Sequence, residues 1–193
     1  ELQQKIPTAS AKPVKLTLAP GAEETVTQEL SLSHPKLWSC DSPHLYCLET
    51  TLLQEGQPLD AKQTTFGVRH IEWKTDGFYL NGKRVQIKGV CEHHDLGPLG
   101  AAFHARAYER KIEILKGMGC NAIRMTHNPP AAEVLDLCDK HGMLVVNELF
   151  DIWKHRKYNK VNGYHIWWHD WWKLDVRNVL LRDRNHPCII AWS

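Results

Sequence analysis

Strand-like and helix-like segments alternate strictly through the second half of the chain, and this alternation constrains the fold more than any other feature. Short apolar runs predict the strands, at residues 85–91, 121–125, 143–146 and 188–192. Apolar residues at helical spacing predict the helices, at 107–118, between a capping Asn128 and a terminating Gly142, and at 171–184. The inner helix faces should carry Tyr108, Ile112, Leu115, Val134, Leu135 and Cys138. Because strands that alternate with helices pair in parallel, the sequence predicts a parallel α/β sheet.

The length of this alternating segment favours part of a closed barrel. Residues 84–193 span about 110 residues, whereas a complete (β/α)8 barrel needs roughly 250. A doubly wound sheet is the structural alternative, but no glycine-rich phosphate-binding loop follows the first strand to support it. We therefore predict that residues 68–193 form the N-terminal half of a (β/α)8 TIM barrel.

The first 67 residues have a different sequence pattern, in which short runs of alternating apolar and polar residues are separated by turn residues. The clearest of these runs lie at 14–18, 26–32 and 45–53. Alternation of period two with such punctuation is typical of antiparallel strands in a sandwich. About four strands are visible, against roughly seven in an immunoglobulin-like sandwich. We therefore predict that residues 1–67 are the C-terminal part of an immunoglobulin-like β-sandwich. A small hairpin at 78–85, with an Asn81-Gly82 turn, should follow it.

Composition excludes several classes of function. The hydrophobic share of 42%, the charged share of 24% and a net charge of +2 give no reason to expect nucleic acid as a partner. No apolar run is long enough for a transmembrane helix, so we expect no membrane partner. The six cysteines form no C-x-x-C pair, so we expect buried thiols rather than a disulfide framework. The histidine-rich loops lack convergent ligands at a recognisable spacing, so we expect neither a metal nor another cofactor.

Polar, acidic and ring-bearing side chains follow the predicted strands at the points where the strands end. These clusters lie at 92–97, 126–129, 147–153 and 192–193. In (β/α)8 barrels the active residues occupy the carboxyl ends of the strands and the loops after them. Because packing alone explains such a series poorly, the sequence predicts a functional site at this end of the sheet.

The last residues of the chain, R-D-R-N-H-P-C-I-I-A-W-S at 182–193, closely resemble the signature of glycoside hydrolase family 2, which contains β-galactosidases and β-glucuronidases. Further motifs are similar to those of the family in the same order, namely F-G-V-R at 66–69, N-G-K at 81–83, K-G-V at 88–90, N-A-I-R-M-T-H-N-P at 121–129 and L-C-D at 137–139. The resemblance covers residues 37–193. In the family the signature continues into the acid/base glutamate, so the resemblance implies that both catalytic carboxylates lie beyond Ser193 and that none lies within the chain.

The resemblance also implies roles for individual side chains. Arg124 matches the arginine that supports the nucleophilic carboxylate, and His127 matches a histidine that touches the sugar at the subsite being cleaved. Asp95 takes the place of an acid that binds hydroxyls of that sugar. Glu148 matches the Glu of an Asp-Glu pair in which Asn147 replaces the usual Asp. The expected substrate-binding set is Asp95, Arg124, His127, Asn128, Glu148, Asp151 and Trp153.

Other residues of these motifs have plainer interpretations. We expect Asp183 and His186 to fix the loop before the fourth strand, and Arg69 to form a buried ion pair at the hinge. Trp168 and Trp172, one helical turn apart, should pack on the barrel rather than offer a platform for sugar.

The resemblance implies part of a retaining exo-β-glycosidase that hydrolyses terminal β-galactosides, because residues 91–100 and 127–130 look most like the β-galactosidase branch. β-Glucuronidase and β-mannosidase stay open as alternatives, as does a non-enzymatic carbohydrate-binding or structural module. A carbohydrate substrate is the expected partner. The first and fourth strands would have unpaired edges, so we expect either a homo-oligomer or a sheet that other chain segments complete. The sequence leaves the compartment open.

Overall fold

The computed structural model describes residues 1–7, 9–157 and 161–193, which form three β-sheets. The first sheet contains β1 (Leu2–Ile6), β2 (Ala9–Ser10), β3 (Tyr46–Gln54) and β4 (Gln57–Phe66). These strands are antiparallel and lie in the order β2-β1-β3-β4. Glu55 and Gly56 connect β3 to β4 in a tight hairpin, because both adopt the positive φ angles (51° and 79°) that such a turn requires.

The strands predicted for this first region are only partly correct. The run at 45–53 is confirmed as β3, but residues 14–18 contribute a single bridge to β1 and residues 26–32 form no strand. Alternation by itself does not make a strand, because the backbone also needs a hydrogen-bonded neighbour. The prediction missed β4, whose side chains are mostly polar and exposed. Pairing with β3, rather than an apolar pattern of its own, holds β4 in the sheet.

The predicted Asn-Gly hairpin is confirmed as part of a second sheet. This sheet contains β5 (Ile71–Lys74), β6 (Gly77–Leu80) and β7 (Lys83–Val85), paired in that order. Asn81 and Gly82 have φ angles of 52° and 76°, and a type I′ turn needs a positive φ at both central residues. Strand β5 was not predicted.

The third sheet is parallel and carries the predicted alternation of strands and helices. Its strands are β8 (Gly89–Glu92), β9 (Ala122–Met125), β10 (Leu144–Asn147) and β11 (Ile189–Trp192). The connecting helices are α1 (Ala105–Gly117), α2 (Ala132–His141) and α3 (Trp168–Asp183). The strands lie in the order β11-β10-β9-β8, so the predicted parallel α/β sheet is confirmed. Within the described ranges, no helix combines the length and the apolar character needed to cross a membrane.

The predicted starts of α2 and α3 are wrong. Helix α2 begins at Ala132, so Asn128 does not cap it. A proline disfavours the helical conformation of the residue before it, and Pro130 therefore keeps Pro129 out of the helix. Helix α3 begins at Trp168, ahead of the predicted start at 171, because a short 3-10 turn (Tyr164–Ile166) leads directly into it.

The hydrophobic core lies between the parallel sheet and helices α1 and α2. The predicted inner faces are confirmed, since all of their residues are buried, namely Tyr108, Ile112, Leu115, Val134, Leu135 and Cys138. They cover buried sheet residues such as Ile123 and Leu144. The fully buried Trp38 joins the first region of the chain to this core, because its indole N–H donates to the carbonyl oxygen of Asp139 at 2.9 Å.

Arg69 links the first region to the start of β11, but not through the predicted ion pair. Its guanidinium donates to the carbonyl oxygens of Pro187 and Ile189. Burial lowers the pKa of Arg69, and no carboxylate in the part of the chain described here forms a salt bridge with it. Backbone carbonyls therefore supply the acceptors that the sequence analysis assigned to an acidic side chain.

Gly142→Ala should lower the free energy of unfolding more than Gly119→Ala does. Both glycines have positive φ angles, of 67° and 89°, at which alanine costs about 1–2 kcal/mol. A methyl group on Gly142 would also lie 2.4 Å from the carbonyl oxygen of Cys40, whereas one on Gly119 meets nothing within 4 Å. Chemical denaturation of both variants should therefore give a further loss of ~1–3 kcal/mol for Gly142→Ala. Equal losses would contradict this close packing.

Candidate functional site

A buried carboxylate joins two accessible side chains at the carboxyl end of the parallel sheet. Glu148 directly follows β10, Arg124 lies in β9, and His127 lies just after β9. Oε1 of Glu148 accepts hydrogen bonds from the Arg124 guanidinium, and Oε2 lies 2.8 Å from Nδ1 of His127. The parallel register pairs Val146 with Arg124, and this pairing brings residues that are distant in sequence to one point.

Exposure divides this cluster into a buried and an open part. The side chain of Glu148 is only 5% exposed, whereas those of Arg124 and His127 are 47% and 36% exposed. Hydrogen bonds to the sulfur of Cys91 and to Glu148 raise the pKa of Arg124, so its guanidinium stays charged. The ring of His93 lies edge-on to that of His127, with centroids 5.4 Å apart, and extends the open part to the loop after β8.

The six cysteines are free thiols, but they are not all buried as predicted. Cys138 and Cys188 are buried, in agreement with the prediction. Cys91 is exposed, because it shares the open face of the sheet with Arg124, its partner in the β8–β9 register. The apolar run around Cys91 could not reveal which face of the sheet would be open.

The side chains of the predicted site residues Asp95 and Asp151 form contacts within the loops that contain them. Oδ1 of Asp95 accepts a hydrogen bond of 2.7 Å from the backbone N–H of Gly97, and Asp151 forms an ion pair with Lys157. Asn128 is exposed in the loop after β9. Among residues 1–7, 9–157 and 161–193, no hydrogen bond or ion pair joins these three predicted site residues to the buried carboxylate. The structure therefore places them on the expected loops without bringing them into the cluster.

The loop after β10 and the start of α3 carry a column of stacked indole rings. Trp153 stacks on Trp168 with ring centroids 5.8 Å apart, and Trp168 stacks on Trp172 at 5.6 Å. Phe150 and Tyr164 contact Trp168 edge-on. Trp168 and Trp172 therefore pack on each other and on loop aromatics, and their predicted packing on the barrel stays a prediction. Trp153, which is 60% exposed, presents the outer face of the column to solvent.

Comparison with known proteins identifies the family. The model described as "Glycosyl hydrolases family 2, TIM barrel domain" matches residues 71–193, and the model described as "Glycosyl hydrolases family 2" matches residues 2–69. The chain belongs to glycosyl hydrolase family 2. This membership confirms the predicted fold, an incomplete immunoglobulin-like sandwich followed by the first half of a (β/α)8 barrel. The exact boundary after residue 67 stays a prediction.

Similar proteins include several members of family 2. The β-galactosidase BoGH2A of Bacteroides ovatus is 45% identical over 174 residues, which are 90% of this chain and 20% of that protein. A Formosa agariphila protein provisionally named a β-glucuronidase is also 45% identical, over 86% of this chain and 16% of its own length. The crystal structure of a family 2 member from Bacteroides cellulosilyticus superimposes with a TM-score of 0.89 at 40% identity, covering 99% of this chain and 25% of that one. The chain thus spans about a fifth of the length of these relatives.

In this family 2 chain, Asn147 faces an acid rather than a cation. Its side-chain amide donates to Oδ2 of Asp183 at 3.1 Å, and both residues are fully buried. Arg182 donates to the same carboxylate. Asp183 is therefore a structural residue, as predicted, and an amide at position 147 satisfies it without adding a second buried charge.

A second buried network fixes the loop before β11. Oδ1 of Asp139 accepts from the backbone N–H of Cys188 at 2.9 Å, and its Oδ2 lies 2.6 Å from Nδ1 of His186. Burial alone would lower the pKa of His186, but the hydrogen bond and charge of Asp139 raise it overall. Asp136 completes a group whose ligand atoms lie within 4.8 Å of one another. Because both Asp139 oxygens already bond within the chain, this group supports the structural role predicted for His186 rather than a metal centre.

Asn147→Asp should destabilise the protein in a pH-dependent way. The new carboxyl group would lie beside that of Asp183. Repulsion between the two negative charges should raise the pKa of the new group in the folded state above its unfolded value of about 3.9. The folded state then favours the protonated acid, so the loss is small below about pH 4 and grows as pH rises. We expect a loss of roughly 3–5 kcal/mol at pH 7, measured by urea denaturation.

Asn147→Leu is the matched control for this substitution. It removes the hydrogen bond to Asp183 without adding charge, so its loss should vary much less between pH 4 and pH 8. If the loss for Asn147→Asp is equally insensitive to pH, the two side chains do not face each other as described.

Proposed function

We propose that this chain is part of a retaining exo-β-glycosidase, with a β-galactoside as the most favoured substrate. The observation that carries the proposal is the cluster of Arg124, His127 and buried Glu148 at the carboxyl end of a parallel barrel sheet. Retaining glycosidases use two carboxylates about 5–5.5 Å apart, one as acid/base and one as nucleophile. We place both of these outside residues 1–193, so the residues of this chain bind and orient the sugar.

Six of the seven predicted site residues have a direct role at the sugar-binding site in this proposal. The charged Arg124 guanidinium would stabilise the nucleophilic carboxylate, and His127 would hydrogen-bond a sugar hydroxyl. Asp95 and Asp151 would accept hydrogen bonds from further hydroxyls, and Asn128 would extend this polar rim. The exposed ring of Trp153 would offer a flat apolar face to a sugar ring.

The choice of β-galactoside rests on the sequence of residues 91–100 and on the similarity to the Bacteroides ovatus β-galactosidase. β-Glucuronide is the second candidate, because the Formosa agariphila relative is equally similar. The test uses the full-length protein that contains this chain and the 4-nitrophenyl β-glycosides of galactose, glucuronic acid and mannose. We expect the highest kcat/KM for the galactoside, and NMR should detect the β-anomer as the first product.

A preference for the glucuronide would transfer the proposal to the second candidate. No hydrolysis of any of the three substrates, or an α-anomer as first product, would overturn it. Residues 1–193 alone serve as a negative control, because the matching carboxylates are placed outside them.

His127→Ala in the full-length protein should lower kcat/KM for the preferred substrate. Losing a hydrogen bond that strengthens in the transition state should cost on the order of 2–4 kcal/mol, by analogy with the loss of an oxyanion-hole donor. The matched control is His44→Ala in the first region, where the His44 ring contacts Tyr46 and should not affect kinetics. A folded His127→Ala variant with unchanged kcat/KM would make the histidine a structural residue.

The homo-oligomer expected from the sheet edges stays a prediction. Strands β8 and β11 form the two edges of the described parallel sheet. Sedimentation equilibrium of residues 1–193 measures the assembly state with these edges unpaired, and a monomer that persists at high concentration would contradict the prediction.

A further inference from the structure

The partners of Glu148 separate its carboxylate from any sugar that enters the site. Its Oε1 accepts from the Arg124 guanidinium and its Oε2 is engaged by His127, so both carboxylate oxygens already have charged or ring-nitrogen partners. Its side chain is 5% exposed, and the two partners form the accessible surface. A ligand that reaches this point would therefore contact Arg124 and His127 before it could contact Glu148.

We infer that Glu148 is a positioning residue, which fixes His127 and Arg124 for the sugar and does not itself bind the sugar. This inference rests on the proposed glycosidase function and deepens it. A buried carboxylate with both oxygens paired is held rigidly, because leaving either oxygen without a partner would be costly. Glu148 therefore sets the orientation of two side chains that reach it from β9 and from the loop after β9.

The contact with His127 also fixes the position of a proton. An ionised carboxylate can only accept hydrogen bonds, so the Nδ1 atom of His127 must carry hydrogen and donate it to Glu148. In the neutral imidazole the other nitrogen, Nε2, is then an acceptor. A neutral His127 can therefore accept a hydrogen bond from a sugar hydroxyl at Nε2, and the partner that fixes this tautomer is Glu148.

Glu148→Gln would remove this control while keeping the size of the side chain. A glutamine has one acceptor oxygen and an NH2 group that only donates, so it cannot accept from Arg124 and His127 at separate atoms. We expect kcat/KM of the full-length protein for its preferred β-glycoside to fall on the order of 10–100-fold, by analogy with the loss of partners that orient metal-binding histidines.

A double-mutant cycle with His127→Ala separates positioning from general structural damage. If Glu148 acts largely through His127, the fold-loss caused by Glu148→Gln should be at least tenfold smaller in the His127→Ala background. Values of kcat are normalised to active sites counted with a 2-deoxy-2-fluoro glycoside inactivator, so that unfolded protein does not contribute. Glu148→Asp, which keeps two acceptor oxygens, should recover part of the activity lost in Glu148→Gln. It also replaces Glu148→Gln in the cycle if the latter fails to fold.

Glu92→Gln is the matched control. Glu92 ends β8 at the same edge of the sheet and pairs with Lys111, but it makes no described contact with His127. Its effect on kcat/KM should be the same factor with and without His127→Ala.

Two outcomes distinguish this inference from the proposed function. A full-length protein that hydrolyses none of the β-glycosides overturns the proposed function. An active protein in which Glu148→Gln causes the same fold-loss in both backgrounds overturns the proposed positioning of His127 and leaves the proposed function standing.

Discussion

Parallel pairing of β8, β9 and β10 is the constraint on which the candidate site depends. In a parallel sheet all strands end at the same edge, so the loops that follow them lie together. The register places Arg124 between Cys91 on one side and Val146 on the other. Glu148, one residue past the end of β10, thus meets both Arg124 and His127.

The motif at residues 182–193, which first indicated the family, stabilises the fold and contributes no side chain to the cluster of Arg124, His127 and Glu148. Asp183 is buried beneath donors from Asn147 and Arg182, and His186 is held by Asp139. Buried polar groups need hydrogen-bond partners, so these contacts fix the end of α3 and the loop that leads into β11. The accessible side chains of the cluster, Arg124 and His127, come instead from β9 and from the loop after it.

Burial and pairing of Glu148 are the basis of the positioning role that we propose for it. Its place in the sequence suggested direct contact with sugar, but its neighbours surround it and use both carboxylate oxygens. The energetic requirement that a buried carboxylate be paired gives the cluster its rigidity. The exposed positions of Arg124 and His127 follow from the same arrangement, because these side chains cover the carboxylate and face outward.

Local pattern determined much of this protein by itself. The Asn81-Gly82 turn, the end of α2 at Gly142 and the inner faces of α1 and α2 depend on neighbours within a few residues, and the sequence predicted all of them. The tertiary structure alone decided which runs found a strand partner, so residues 14–18 and 26–32 failed as strands and the polar β4 succeeded. It also decided that Cys91 is exposed and that Asn147 faces Asp183. These outcomes depend on pairing and burial between segments that are distant in sequence, and a short-range pattern of apolar residues does not predict such contacts.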